Sequence, residues 1–364
     1  MESRTDSLYP AGEAIMMRNP IRQPSLPAIC AIIALALWMP IRSFAQEPSN
    51  DTVDLVPVTG IEGPELSFDF PGLSVGVAEY AEGPTGCTVI TFDKRARATA
   101  DVRGGSVGTH EVARLMGTWA EIDAICLAGG SAYGLEAASG VAAEYLAARK
   151  YSKHWAQIAL VPGAIIYDYP RRGNSIFADK ALGRAAFRAR RTGVFPLGPV
   201  GAGRMASVGL DRESSGQGAA FRKIGDIRVA AFTVVNALGA VVDRRGQVIR
   251  GNRSGSERVL SIEHALERLS GVSTSAPGNG NTTLTVVVTN VSLSNRQLRQ
   301  LANQAHSSMA RAIQPFHTEN DGDLLFAVST GYISSDRVSA MDLGTVASEL
   351  LWDAVIAAVS QEPR

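Results

Sequence analysis

The chain has 364 residues, in which 35 Lys and Arg balance 35 Asp and Glu and only 19% of residues are charged, so no bulk field exists to attract nucleic acid or an anionic lipid surface. With 45% hydrophobic residues, 6% aromatic residues and 36 glycines it can bury a large aliphatic core between closely packed backbones, which excludes a disordered chain and a disulfide-dense mini-fold. Three cysteines, Cys30, Cys87 and Cys126, show neither CxxC nor Cys/His spacing, so no metal ligand set and no cofactor is expected.

Ala28 to Trp38 is an apolar run preceded by Arg18 and Arg22 and followed by Pro40 and then Ser43-Phe44-Ala45, the small-x-small pattern of a secretory cleavage site. It predicts a leader over 1–45, removed after Ala45, and a periplasmic or secreted mature protein; a leader that does not function leaves the protein in the cytoplasm. The run is too short for the roughly 20 residues that span a bilayer, so a permanent anchor is not expected. The acidic stretch before Met16 is foreign to such leaders and leaves Met16 and Met17 open as start sites. Cleavage removes Cys30; Cys87 and Cys126 then either pair in an oxidising compartment or stay as two small buried hydrophobes, the reading their context favours.

Beyond the leader, β-rich and helical runs alternate, which predicts a mixed α and β fold. Cys87 to Phe92 reads as a strand, Val112 to Trp119 as a helix and Ile122 to Leu127 as a buried strand that leads into Gly129-Gly130. A helix from Ser131 to about Ala148 carries residues small enough for a neighbour to approach closely, so it should be central. Gly271 to Asn281 has turn chemistry and reads as an exposed connector. Thr282 to Val291 is a β-branched strand; Ser294 and Gln297 form a capping box for a helix with Leu298, Leu301, Ala302, Ala305 and Met309 on its buried face. Leu324 to Thr330 is a further strand, and a helix over Leu343 to Ala358 closes the chain.

Two glycine patterns carry little chemistry. Gly104-Gly105-Ser106-Val107-Gly108 fits the GxSxG nucleophile elbow, with His317 later in the chain, but in a glycine-rich sequence it reads more simply as turn geometry. Gly129-Gly130-Ser131 lacks the Lys-Ser/Thr of a phosphate loop; it is either a helix N-terminus facing an anion or a close packing contact.

The junction Asn279-Gly280-Asn281-Thr282-Thr283 says more. Taken alone it is a hairpin-like turn, yet a chain break before Thr282 would leave a threonine whose own α-amine, with a pKa of about 7.7 to 8.0, is a built-in base for its hydroxyl. Asp321-Gly322-Asp323 places two carboxylates on one face of an extended segment. Such a pair orients an amine or hydroxyl; the plain alternative is a solvated acidic turn, and glycosidase chemistry is disfavoured because a two-residue spacing does not set the required separation.

With Thr282 and the two aspartates in view, the sequence resembles the P1/S58 family of N-terminal-nucleophile hydrolases, and within it the nylon-oligomer endohydrolases that cleave 6-aminohexanoate oligomers. Phe68-Asp69-Phe70-Pro71-Gly72, Glu82-Gly83-Pro84-Thr85-Gly86, Tyr133-Gly134-Leu135-Glu136-Ala137, Ile166-Tyr167-Asp168, Gly216-Gln217-Gly218, Gln314-Pro315-Phe316-His317-Thr318 and Asp321-Gly322-Asp323 carry it, in order, over roughly Leu66 to Ala358. The resemblance implies an α/β fold of αββα four-layer type, made as one chain and split between Asn281 and Thr282 into residues 46–281 and 282–364, which stay associated and assemble as a tetramer of αβ units. It implies Thr282 as nucleophile, Asp321 and Asp323 as orienting acids, and Tyr167 and Asn236 as supports for cleavage and for the tetrahedral intermediate. A lysine of the family is replaced here, at a position that aligns with Leu210 beside a short deletion before Gly216, so a positive charge is lost unless Arg204, Arg212 or a reregistered loop supplies one. The expected activity is autoprocessed hydrolysis of linear amides; an aminopeptidase, β-peptidase or acyltransferase on the same fold, and a noncatalytic periplasmic binding protein, are the competing readings.

Overall fold

The computed structural model describes residues 47–116, 120–272, 280–334, 336 and 338–361; the expected leader, Cys30 and the middle of the polar connector lie outside them. The architecture is built on β1 (Leu73–Tyr80), β2 (Thr85–Val102), β3 (Ala120–Ala128), α1 (Glu136–Ala148), β4 (Gly163–Ile165), α2 (Lys180–Arg188), β5 (Gln217–Ile224), β6 (Ile227–Asn236), β7 (Thr282–Val291), α3 (Asn295–Ser308), β8 (Leu324–Ile333) and α4 (Ala340–Val359).

One hydrogen-bonded path runs β5-β6-β7-β8-β2-β3-β4. Its two halves meet on β2, whose first part pairs with β1 from Tyr80↔Thr85 to Leu73↔Phe92 and whose second part pairs with β8 from Ser329↔Arg97 to Leu324↔Val102. The ladder of β2 with β3 shifts register between Thr91 and Ala96, and such an irregularity bends a strand. The two halves then face one another: Ile90, Ile122 and Leu127 share a core with Phe232, Val286 and Phe326.

The outward faces are covered by helices. Ala231, Val287 and Leu325 pack with Leu298 and Leu301 of α3 and Leu351 and Val355 of α4, while Val89 and Cys126 pack with Val141 of α1 and Leu182 of α2. The layer order is helix, sheet, sheet, helix. The small-residue helix is central, as its sequence requires: a Cβ at Gly140 would lie 2.2 Å from the Lys180 carbonyl oxygen, and one at Gly183 would lie 2.0 Å from that of Ala137.

Strand β7 is antiparallel to β6, parallel to β8 and buried at all ten positions. Its even-numbered residues, Leu284, Val286 and Val288, enter the inter-sheet core, and the odd-numbered Val287 and Val291 face α3 and α4. Each fully buried aliphatic side chain contributes roughly 1.5–3 kcal/mol, so the strand is firmly held. The capping box of Ser294 and Gln297 starts α3 as expected.

Two expectations change. The helix over Val112 to Trp119 is only a 3-10 turn, Ala113–Met116, with 117–119 outside the described residues; the Leu115 carbonyl accepts the Thr99 hydroxyl at 3.1 Å and so ties the turn to β2. The connector does not stay exposed to its end, because Asn281 is buried. Cys87 and Cys126 are buried free thiols, the reading their sequence context favours.

Candidate active site

The site forms where β6, β7 and β8 end together. Asn236, the last residue of β6, pairs with Thr282, the first of β7, and both continue the even-numbered face that enters the inter-sheet core. Both are buried. The Thr282 hydroxyl donates to the Asn281 carbonyl oxygen at 2.6 Å, and the Gly322 backbone N–H donates to the same oxygen at 2.7 Å. The Asn281 N–H in turn donates to the Asn320 carbonyl at 3.2 Å, and Asn281 bridges Asp321 in parallel sense, extending the β7–β8 ladder one step upstream. The peptide before Thr282 is thereby fixed from both sides.

The acid pair is not a solvated turn, since Asp321 and Asp323 are both buried. Asp321 accepts the Leu238 N–H at 3.2 Å on one oxygen and, on the other, the Thr318 hydroxyl at 2.6 Å and N–H at 3.2 Å. Asp323 accepts the Thr283 N–H at 2.8 Å on Oδ1, and on Oδ2 the backbone N–H of His317 at 2.9 Å, with His317 Nδ1 3.1 Å away. Burial, with the neighbouring Asp323 charge adding to it, pushes the Asp321 carboxyl up to about 6.

Glycine is required between them. A Cβ at Gly322 would lie 2.6 Å from Thr282 Oγ1 and 2.7 Å from the Ser106 carbonyl oxygen. The loop after β2 packs underneath: a Cβ at Gly104 would lie 2.2 Å from the Asp323 nitrogen, and the Ser106 N–H donates to the Asp321 carbonyl at 2.9 Å. Ser106 is no nucleophile elbow; its hydroxyl donates to the Glu319 carbonyl at 3.1 Å, and the His317 ring faces Asp323.

Asn236 joins the site to a second segment. Its Oδ1 accepts the Ser207 N–H at 3.0 Å and its Nδ2 donates to the Tyr167 carbonyl at 3.1 Å, which fixes the amide orientation. The Tyr167 ring takes the place a side chain at residue 280 would need, 2.2 Å from a Cβ there, and Gly280 has φ +77°, a conformation glycine adopts freely. Beside Tyr167, Asp168 accepts the Gly130 N–H at 3.0 Å and pairs with Arg172 at 2.7 Å, so the anion at the Gly129-Gly130 turn is the protein's own.

At Leu210, where the resemblance would put a lysine, the backbone N–H donates to Asn252 Oδ1 at 2.9 Å. Arg204 pairs with Glu79 at 3.3 Å, and Arg171 donates to the Ala206 carbonyl at 3.0 Å, one residue from the Ser207 that holds Asn236. The structure thus brings together Thr282, Asn281, Asp321, Asp323, Asn236 and Tyr167. Sequence reasoning missed the Gly322 and Leu238 N–H groups, Thr318, and the contact of His317 with Asp323. Backbone donors leave no mark on side-chain patterns, but Thr318 and His317 stand within six residues of Asp323 and were open to inspection.

The profile of Peptidase family S58 matches residues 67–362. The chain is 47% identical over 330 residues, covering 85% of this chain and 90% of the other, to a 6-aminohexanoate-oligomer endohydrolase of Paenarthrobacter ureafaciens. Among solved structures, a beta-aminopeptidase of Burkholderia sp. superposes with a TM-score of 0.59 at 18% identity over 81% of this chain and 88% of its own. The L-aminopeptidase D-Ala-esterase/amidase of Ochrobactrum anthropi, described as a variant of the Ntn hydrolase fold, gives 0.58 at 16% identity over 82% and 88%. The fold is therefore the mixed α/β architecture of the Ntn-hydrolase-like aminopeptidases. The chain itself belongs to Peptidase family S58 and is a hydrolase acting on amide bonds.

Proposed function

We propose that the chain breaks itself between Asn281 and Thr282 and that mature Thr282, with its own α-amine as base, hydrolyses linear amide oligomers of the 6-aminohexanoate type. The observation that carries this reading is the Asn281 carbonyl, held between the Thr282 hydroxyl at 2.6 Å and the Gly322 N–H at 2.7 Å. A donor on a carbonyl oxygen draws electron density off its carbon, and the nearest nucleophilic oxygen is the one that must attack it.

In the first reaction Thr282 Oγ1 bonds to the Asn281 carbonyl carbon, the C–N bond breaks and the hydroxyl proton passes to the Thr282 nitrogen, leaving an ester. Water hydrolyses the ester, which frees the Asn281 carboxyl group and the Thr282 amine and hydroxyl. In the second reaction the amine accepts the hydroxyl proton as Oγ1 attacks a substrate amide; the product amine leaves with that proton, and water releases the acyl group. Asp321 and Asp323 orient Thr282 through the backbone they hold. The Gly322 N–H and the Asn236 amide stand as donors for the oxyanion, with Tyr167 placing Asn236 through its carbonyl.

The fragments 46–281 and 282–364 would share the sheet through β6 and β7, and so would stay together. Assembly as a tetramer of such αβ units, and export after removal of residues 1–45, belong to the same proposal. Incubating the mature protein with linear and cyclic 6-aminohexanoate oligomers and with short α- and β-peptides, followed by product analysis, tests it: internal cleavage of the linear oligomers is expected, and release only of N-terminal residues from peptides would assign the protein to the aminopeptidases instead.

A further inference from the structure

His317 is absorbed by none of the steps above, yet it makes two of the three contacts to Asp323. Its backbone is in the left-handed region, φ +63°, where a residue of this type is held only by what surrounds it. In that conformation its main-chain N–H and its Nδ1 both reach Asp323 Oδ2, at 2.9 and 3.1 Å. Since a carboxylate only accepts, Nδ1 carries the proton. The ring is braced from behind by His306 of α3, which is fully buried, with centroids 4.3 Å apart at 77°. His306 is fixed in turn through Nδ1 to Asp101 Oδ2 at 3.0 Å, and Arg103 donates to the same oxygen at 2.7 Å. Among the described residues, the buried Nε2 atoms of both imidazoles meet no hydrogen-bond partner.

We propose that His317, braced by His306 and Asp101, is a positioning residue that fixes the Asp323 carboxylate and, through it, the Thr283 N–H beside the nucleophile. Asp323 has donors on both oxygens, including the charge-stabilising imidazole N–H, and through Oδ1 it holds the Thr283 N–H at 2.8 Å, one peptide from the nucleophile. The charged or titratable groups around this chain are Asp101 and Arg103 on and after β2, His306 on α3, and Asp321 beside Asp323. The inference rests on the proposed site.

The test compares His317→Gly with His317→Asn. Glycine accepts the left-handed backbone and removes the imidazole without strain; asparagine tolerates the same backbone and places its Nδ2 donor where Nδ1 stood. Chain splitting is followed by intact mass, kcat and KM are measured on a linear amide oligomer, and melting temperature records folding. The glycine variant is expected to split more slowly and to lose about 10- to 100-fold in kcat with KM within about threefold, the size of loss that follows a small misplacement of a reacting group. The asparagine variant should recover most of that loss. A folded asparagine variant as slow as the glycine variant overturns the proposal, as does a glycine variant with wild-type kcat. If the glycine variant does not fold, the asparagine variant alone decides, since the proposal requires it to be active. A wild-type chain that neither splits nor hydrolyses amides would instead refute the reading of the site.

Discussion

Gly322 and Thr282 are packed so closely that a methyl group on the first would sit 2.6 Å from the hydroxyl oxygen of the second. The same residue offers its N–H to the peptide that Thr282 attacks in the proposed self-cleavage, at 2.7 Å from the Asn281 carbonyl oxygen. Its lack of a side chain and its backbone donor therefore serve one purpose: the donor can approach only because nothing else is attached.

Gly322→Ala tests this most simply. The added methyl also meets the Ser106 carbonyl at 2.7 Å, so it cannot be relieved by rotating the threonine alone. Overpacking of this kind costs about 1–3 kcal/mol, and here the strain falls on the attacking atom and its donor. Splitting should slow by about two orders of magnitude, in line with loss of one aligned oxyanion donor. Wild-type processing, measured as the fraction of split chain with time, would show that the contact is incidental.

Thr282→Ala removes the hydroxyl needed for both reactions but little of the core. Soluble, unsplit and inactive protein is expected, with stability lowered by about 1 kcal/mol for the lost hydrogen bond. Thr282→Ser keeps the oxygen and should still split. If the alanine variant is cut at the same bond, an outside protease is responsible.

The acid pair should leave a pH signature. Asp321 is raised to about 6 in the fold, so the folded state binds this proton more tightly than the unfolded chain does. Its contribution is complete below about pH 4 and is lost as pH rises through 6, a change of about 3 kcal/mol at 1.36 kcal/mol per unit. In the unsplit Thr282→Ala background, denaturant unfolding should show stability falling over that window, and Asp321→Asn should flatten it. Asp323→Ala leaves the Thr283 and His317 N–H groups without their acceptor and should reduce turnover by orders of magnitude. Near-normal rates in both acid variants would remove the pair from the mechanism.

Asn236→Ala unpairs the Ser207 N–H and the Tyr167 carbonyl, two groups at about 1–3 kcal/mol each, and removes a candidate oxyanion donor. A lower melting temperature and a kcat reduced by about 10²–10³ are expected. Asn236→Asp keeps the acceptor for Ser207 but cannot donate to Tyr167. It should therefore be no more active than the alanine variant, and activity close to wild type would exclude the amide as a donor.

Much of this was legible in the sequence where a local rule decided the matter. The β-branched run from Thr282 to Val291, the capping box at Ser294 and the small-residue helix each have one physical solution, and each formed. The short element at Val112 forms a 3-10 turn at Ala113–Met116, tied at the Leu115 carbonyl to Thr99 on the preceding strand, a contact that a local helical pattern does not reveal. The acid pair was visible as residues but not as buried ones, since its donors come from Leu238, Thr283, His317 and Thr318, which only the fold assembles. The glycine pairs at 104–105 and 129–130 were noticed for chemistry they do not perform; both exist so that backbone and carboxylate can pass close by.

The central claim is that an internal threonine becomes a chain terminus and uses its new amine as a base. Intact mass and N-terminal sequencing of the purified protein, before and after acetylation of that amine, test it directly. The account predicts a fragment beginning at Thr282 and loss of amide hydrolysis on acetylation, whereas an unbroken chain that hydrolyses amides, or acetylated material of undiminished activity, would contradict it.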